Sequence, residues 1–192
     1  VYGSGLITLT LRFEPLREIP VYLPRLGLRG ALPGDFDRVI WQGRGPGESY
    51  PDKKGAALIG RWSAPVAETH VPYIRPQENG AHEDTAFAAV MNARGIGLMA
   101  AGDAFSFSVH DYSPEALTEA EHTIDLRREE NVTLCLDGAM GPLGTASCGP
   151  EPAEALRLTL QEPRSFRFAF LPFDEESLSV DAAGLVCRSA LR

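Results

Sequence analysis

The stretch Trp41-Gln42-Gly43-Arg44-Gly45-Pro46-Gly47-Glu48-Ser49-Tyr50-Pro51-Asp52 decides how this chain is read. It concentrates glycines, an arginine, carboxylates and two aromatics in one short segment. Gly43, Gly45 and Gly47 let the backbone bend where a Cβ would clash. Pro46 and Pro51 fix φ and remove N–H donors, so neither a helix nor a central strand continues through them. The stretch therefore reads as a shaped loop leaving a strand at 38–41. A companion with the same polar, turn-forming character follows at Pro76-Gln77-Glu78-Asn79-Gly80.

Outward from this loop, apolar and polar residues alternate at period two in several segments, the mark of half-buried strands. They lie at 5–13, 23–32, 85–92, 97–101, 104–110, 123–127, 131–137, 155–160, 165–171 and 177–186. Residues 53–75 read as irregular. One helix is marked by Ser113 as N-cap, Pro114 in the first helical position and Glu115 complementing the helix dipole, and it is predicted over 114–121. Gly138, Gly141, Gly144 and Gly149, with Pro142 and Pro150, form a second glycine-rich loop. Many short strands, turns between them and one short helix predict an all-β antiparallel sandwich.

The chain has 192 residues with a net charge of −8. Such an acidic balance argues against non-specific nucleic-acid or anionic-membrane binding, which need a basic face. No apolar run approaches the roughly 20 residues of a membrane span. Cys135, Cys148 and Cys187 are too few and too far apart for a disulfide framework or a zinc site, so a reducing, cytoplasmic compartment is the expectation. No signal peptide is visible. The chain opens on Val-Tyr-Gly-Ser-Gly without an initiator Met and reads as a piece of something longer.

Residue chemistry alone yields no reaction. Glu48, Asp52, Glu78, Glu83, Asp84 and Asp137 are candidate carboxylates, but 26 acidic residues make chance pairs inevitable. The histidines at 70, 82, 110 and 122 lack metal-site spacing. The 43–47 glycines lack the dinucleotide fingerprint, and no nucleophile elbow is present.

The loops carry a resemblance. Residues 41–52 closely resemble the Trp-x-Gly-x-Gly-Pro-x-Glu-x-Tyr-x-Asp signature of the C-terminal domain of family 2 β-galactosidases. Further similar motifs follow in order. They are Leu-Pro-Arg-Leu-Gly at 23–27, Pro-Tyr-Ile-Arg-Pro-Gln-Glu-Asn-Gly at 72–80, Tyr-Ser-Pro-Glu-x-Leu at 112–117, Leu-x-Leu-Asp at 134–137 and Met-Gly-x-Leu-Gly-Thr-x-Ser-Cys-Gly-Pro at 140–150. The resemblance implies an antiparallel β-supersandwich similar to galactose mutarotase. It places one domain at 1–172, with its N-terminal part missing, and a tail at 173–192 expected to add a strand. It also implies hydrolysis of terminal β-D-galactosides such as lactose by the complete enzyme. The retaining glutamates, Mg2+ and Na+ would lie in a catalytic barrel outside this chain, leaving no catalytic, metal or cofactor residues here. The partner would be the remainder of the polypeptide or a large subunit, in an oligomer.

In such enzymes this domain forms part of the active-site wall. A stacking tryptophan of the family aligns with Cys148, within Ser147-Cys148-Gly149-Pro150, so Ser147 and Cys148 are the implied substrate-binding positions. Trp41, Arg44, Glu48, Tyr50, Asp52, Gln77, Glu78 and Asn79 are implied as structural signature residues that brace the domain. Arg44 with Glu48, or Glu78 with Asn79, are the expected buried anchors. Two other readings stand beside this one. The first is an autonomous carbohydrate-binding module using Trp41, Trp62 and Tyr73 as exposed aromatics. The second is a mutarotase-like enzyme using a histidine and a carboxylate.

Overall fold

The computed structural model describes residues 1–19, 22–143 and 151–192. Eight strands form one antiparallel sheet: β1 Ile7–Phe13, β2 Arg25–Pro33, β3 Arg38–Gly45, β4 Leu58–Pro65, β5 His82–Met91, β6 Ile96–His110, β7 Asn131–Met140 and β8 Arg164–Asp174. The main path runs β1-β8-β6-β5-β3-β4, and β7 joins β6 to β2. The fork lies in β6. Its first half pairs with β8 from Ile96 to Gly102, and its second half pairs with β7 from Ser106 to His110. The segments 97–101 and 104–110 are thus one strand, not two, with Ala104 at φ 51° between the halves. The two limbs wrap an all-β, sandwich-like core.

Alternation along the central strands buries both faces. Val39, Trp41, Ala88, Val90, Phe105 and Phe107 belong to one cluster, while Ile40, Phe87, Ala89 and Met91 belong to the other. The first is enclosed by the second limb of the sheet through Val132, Leu134 and Leu136. The second is covered by a helix. The predicted helix forms as α1, Pro114–Glu119, with the Ser113 hydroxyl accepting from the Ala116 amide. A second helix, α2, occupies Val180–Ser189, where the sequence predicts a strand. Ser179 caps it, Asp181 and Arg188 suit its dipole, and Val180, Ala183, Gly184 and Cys187 line the face turned to the sheet. Leu178 and Val180 alternate with serines for only one period, and the helical spacing beyond them prevails.

Three further expectations are corrected. Strand β4 replaces the irregular reading of its segment. Residues 123–127 and 155–160 form short 3-10 turns instead of strands, at Thr123–Asp125 and Glu154–Leu156. Strand β3 continues through Gly43 and Gly45 as far as the Gly45–Pro46 bond, pairing with β4 to Leu58. These glycines make room and do not bend the chain. A Cβ on Gly43 would sit 2.5 Å from Thr85 Oγ1, and one on Gly45 would sit 2.6 Å from Trp62 Cδ1. No helix among the described residues is long and apolar enough to cross a membrane.

Candidate functional site: four motifs at one loop root

The signature residues are held by backbone as much as by each other. Trp41 is buried against His82 and Phe107, and its Nε1 donates to the Arg44 carbonyl at 2.9 Å. Arg44 does not pair with Glu48, as the sequence suggests. Its Nε donates to Asp84 at 2.6 Å and its Nη1 to the Ala57 carbonyl at 2.8 Å. The reason is a bulge in β5, where Asp84 takes φ 53° and turns its carboxylate towards Arg44 and Lys54. Glu48 instead receives Lys53 Nζ at 2.5 Å, the Tyr73 hydroxyl and the Gly80 amide at 2.8 Å. Burial opposes its charge, but these donors outweigh it and hold the carboxyl below its ordinary range.

Around Pro76–Gly80 the same economy appears. Asn79 is buried. Its side chain accepts from the Val71 amide and donates to the Gln77 carbonyl, both at 2.9 Å, while Glu78 pairs with Arg25 instead of with Asn79. His110 Nε2 donates to the Asn79 carbonyl at 2.8 Å, and His82 Nδ1 donates to the Arg44 carbonyl at 3.2 Å. Burial pushes both imidazoles down to about 4, so both are neutral near pH 7. Gly80 adopts φ 68° with its α-carbon against the Thr69 carbonyl, which a Cβ would approach to 2.4 Å.

The motifs then converge. Arg25 grips Asp137 with two bonds, Nε at 3.1 Å and Nη2 at 2.8 Å, and reaches Glu78 through Nη1 at 3.0 Å. Asp137 is 2% exposed. Burial pushes both carboxyls up, with Arg25 opposing and the Asp137 charge adding to the effect on Glu78. Burial also raises the Tyr50 phenol, with Glu78 and Glu48 nearby reinforcing it. Next along the chain from this network, β2 and β7 end together at Arg25 and Met140, and the Gly141 amide donates to the Pro24 carbonyl at 2.7 Å. The Leu143 amide then donates to Asp52 at 3.1 Å. Four motifs far apart in sequence thus fix the root of the second glycine-rich loop. Ser147 and Cys148 themselves lie outside the described residues.

The sequence leaves Arg25 unmarked and marks Asp137 only as one of several candidate carboxylates, although each stands inside a quoted motif. No local signal tells which of many carboxylates faces which arginine. The candidate carboxylates do come together, but around cations: Glu78 and Asp137 on Arg25, Glu83 and Asp84 on Lys54. Trp41 is buried, not exposed as a binding platform requires, and Trp62 and Tyr73 are half-buried. Among the described residues, the histidine–carboxylate pair is His122 with Asp125, 3.5 Å apart on the surface. No group of three or more His, Cys, Asp or Glu among the described residues is arranged to hold a metal ion.

The sequence model of the β-galactosidase small chain matches residues 1–171. The chain belongs to the β-galactosidase small-chain family. Relatives include the β-galactosidase of Staphylococcus xylosus, 35% identical over 170 residues and covering 88% of this chain. That of Actinobacillus pleuropneumoniae is 34% identical over 176 residues, covering 91%. That of Kluyveromyces lactis is 35% identical over 153 residues, covering 79%. The chain spans only 17%, 17% and 14% of the length of these three relatives. The small-chain match ends within β8, so α2 lies beyond it.

Proposed function

We propose that this chain is the small-chain part of a family 2 β-galactosidase acting on terminal β-D-galactosides such as lactose. Its role is to shape the active-site wall and brace the catalytic barrel, and it does not turn substrate over alone. The observation that supports this reading is the fixed loop root. Arg25, Glu78, Asp137 and Asp52 are spent on positioning backbone and one another, which suits a scaffold that presents a loop. None is left in the arrangement of a carboxylate pair flanking a glycosidic bond. The partner is the remaining portion of the enzyme, as one polypeptide or a large subunit, within an oligomer in the cytoplasm. Mg2+ and Na+ belong to that portion.

The test is complementation. The chain is assayed with a chromogenic β-galactoside alone and with the missing portion added. Activity only on mixing is expected, whereas turnover by the chain alone would overturn the proposal. On the same reading Cys148 lines the aglycone subsite as a small apolar wall. Cys148→Trp in the complete enzyme supplies a flat face for the C–H side of a pyranose and is expected to lower KM for lactose. Unchanged kinetics would remove Cys148 from the subsite.

A further inference from the structure

A concavity that adjoins the loop root combines both signs of charge with an apolar wall. It is a groove of about 330 Å³ along the first half of β2, closed by the start of α1. Register fixes its floor. Gly27 stands opposite Asp137 and Arg29 opposite Cys135, so these four, with Arg25, share one face of the β2–β7 pair. Gly27 lets β2 pack directly on β7, because a Cβ there would lie 2.2 Å from the Leu136 carbonyl oxygen and 2.4 Å from Asp137 Oδ1. At one end Arg25 holds Asp137. At the other Arg29 meets Glu115 at 2.5 Å. Phe13, half-buried and tilted 6.1 Å from Phe166, lines the groove as well.

We infer that this groove is a binding site for a neutral pyranoside. Each guanidinium already has a carboxylate, so the groove has no unpaired cation to attract an anion. What remains are spare N–H donors and carboxylate lone pairs side by side. A hydroxyl group donates and accepts at once and satisfies both. Phe13 offers the apolar surface that a sugar's C–H face needs. The size falls in the range of small-ligand clefts. Cys135 contributes packing only: burial pushes its thiol up to about 11. The groove rests on this geometry, and only the choice of a galactoside as first probe rests on the proposed function.

The experiment is a calorimetric or NMR titration of the chain with methyl β-D-galactopyranoside, methyl β-D-glucopyranoside and inorganic phosphate. Saturable galactoside binding with Kd on the order of 1 mM is expected. Phe13→Ala and Arg29→Ala are each expected to weaken it at least about fivefold. Arg29 is a surface residue, so its variant should keep the parent melting temperature and separates lost binding from lost fold. Binding of the glucoside without the galactoside upholds the groove and counts against the galactoside reading. Phosphate binding in place of both glycosides, or glycoside binding untouched by both variants, would overturn the site.

Discussion

Gly43 and Gly45 of the 41–52 stretch and the glycines at 138 and 141 meet their neighbours at similarly short range, yet to different ends. Gly43 and Gly45 lie inside a strand pair, where Thr85 and the Trp62 ring take the space a side chain would need. Trp41, Arg44, Glu48, Ser49 and Tyr50 are all bonded to backbone or to a neighbouring polar side chain. Gly138 presses on Phe166, and Gly141 on the Leu23 and Pro24 carbonyls. They bring β7 against its neighbours just before the chain leaves the sheet. One stretch is glycine-rich because it is packed, the other because it is anchored where a loop begins. Similar composition therefore says little about which loop faces chemistry. What distinguishes them is where the polar side chains are spent.

The strongest way to break this arrangement is at Arg25, which serves the anchor. Arg25→Ala leaves buried Asp137 and Glu78 facing each other without a cation. The expected loss is about 3–5 kcal/mol of stability, read from urea or thermal unfolding. Asp137→Asn in the Arg25→Ala background should recover part of it, because it removes a stranded charge.

The packed stretch is sensitive to acid instead. His82 and His110 titrate at about 4 when folded and near 6.5 when unfolded. Between these values the unfolded chain binds more protons, so their stabilisation is fully present above about pH 6.5 and is lost as pH falls towards 4. Each contributes up to about 3 kcal/mol. Glu78, Glu83 and Asp137 act in the opposite sense, since their raised values let the folded state take up protons first. Melting temperature is expected to fall from pH 7 to pH 4, and His110→Gln should flatten the profile.

Within 41–52 the glycines themselves should separate. Gly43→Ala forces Thr85 to move and is expected to cost about 1–3 kcal/mol. Gly47→Ala meets nothing within 4 Å and should change stability by less than about 0.5 kcal/mol. Equal effects would return the stretch to a simple flexible loop.

Much of this was legible from residues alone. The alternation in 5–13, 23–32 and 165–171 became β1, β2 and β8, and the Ser113-Pro114-Glu115 start became α1, because those signals are local. Strand β4 was hidden, since Gly60, which faces Gly43 of β3, and Ile59 interrupt the period-two pattern. Helix α2 was hidden by two residues of false alternation. The site was legible as a set of motifs but not as pairs. Arg44 chose Asp84 over Glu48 because of a one-residue bulge, a register event no single-sequence pattern reports.

A modest stability effect carries the sharpest functional question. Asp52 belongs to the packed stretch, but its carboxylate accepts the Leu143 amide at the root of the other loop, linking the two regions. Losing that bond in Asp52→Ala should cost only about 1 kcal/mol. If the loop that follows lines the aglycone side of the complete enzyme, release of its root should raise KM for lactose more than it lowers kcat. Asp52→Asn, which keeps an acceptor oxygen, should restore most of the difference. A loss of stability with unchanged KM would make Asp52 a brace of the sheet alone, and the two glycine-rich stretches would then be functionally uncoupled.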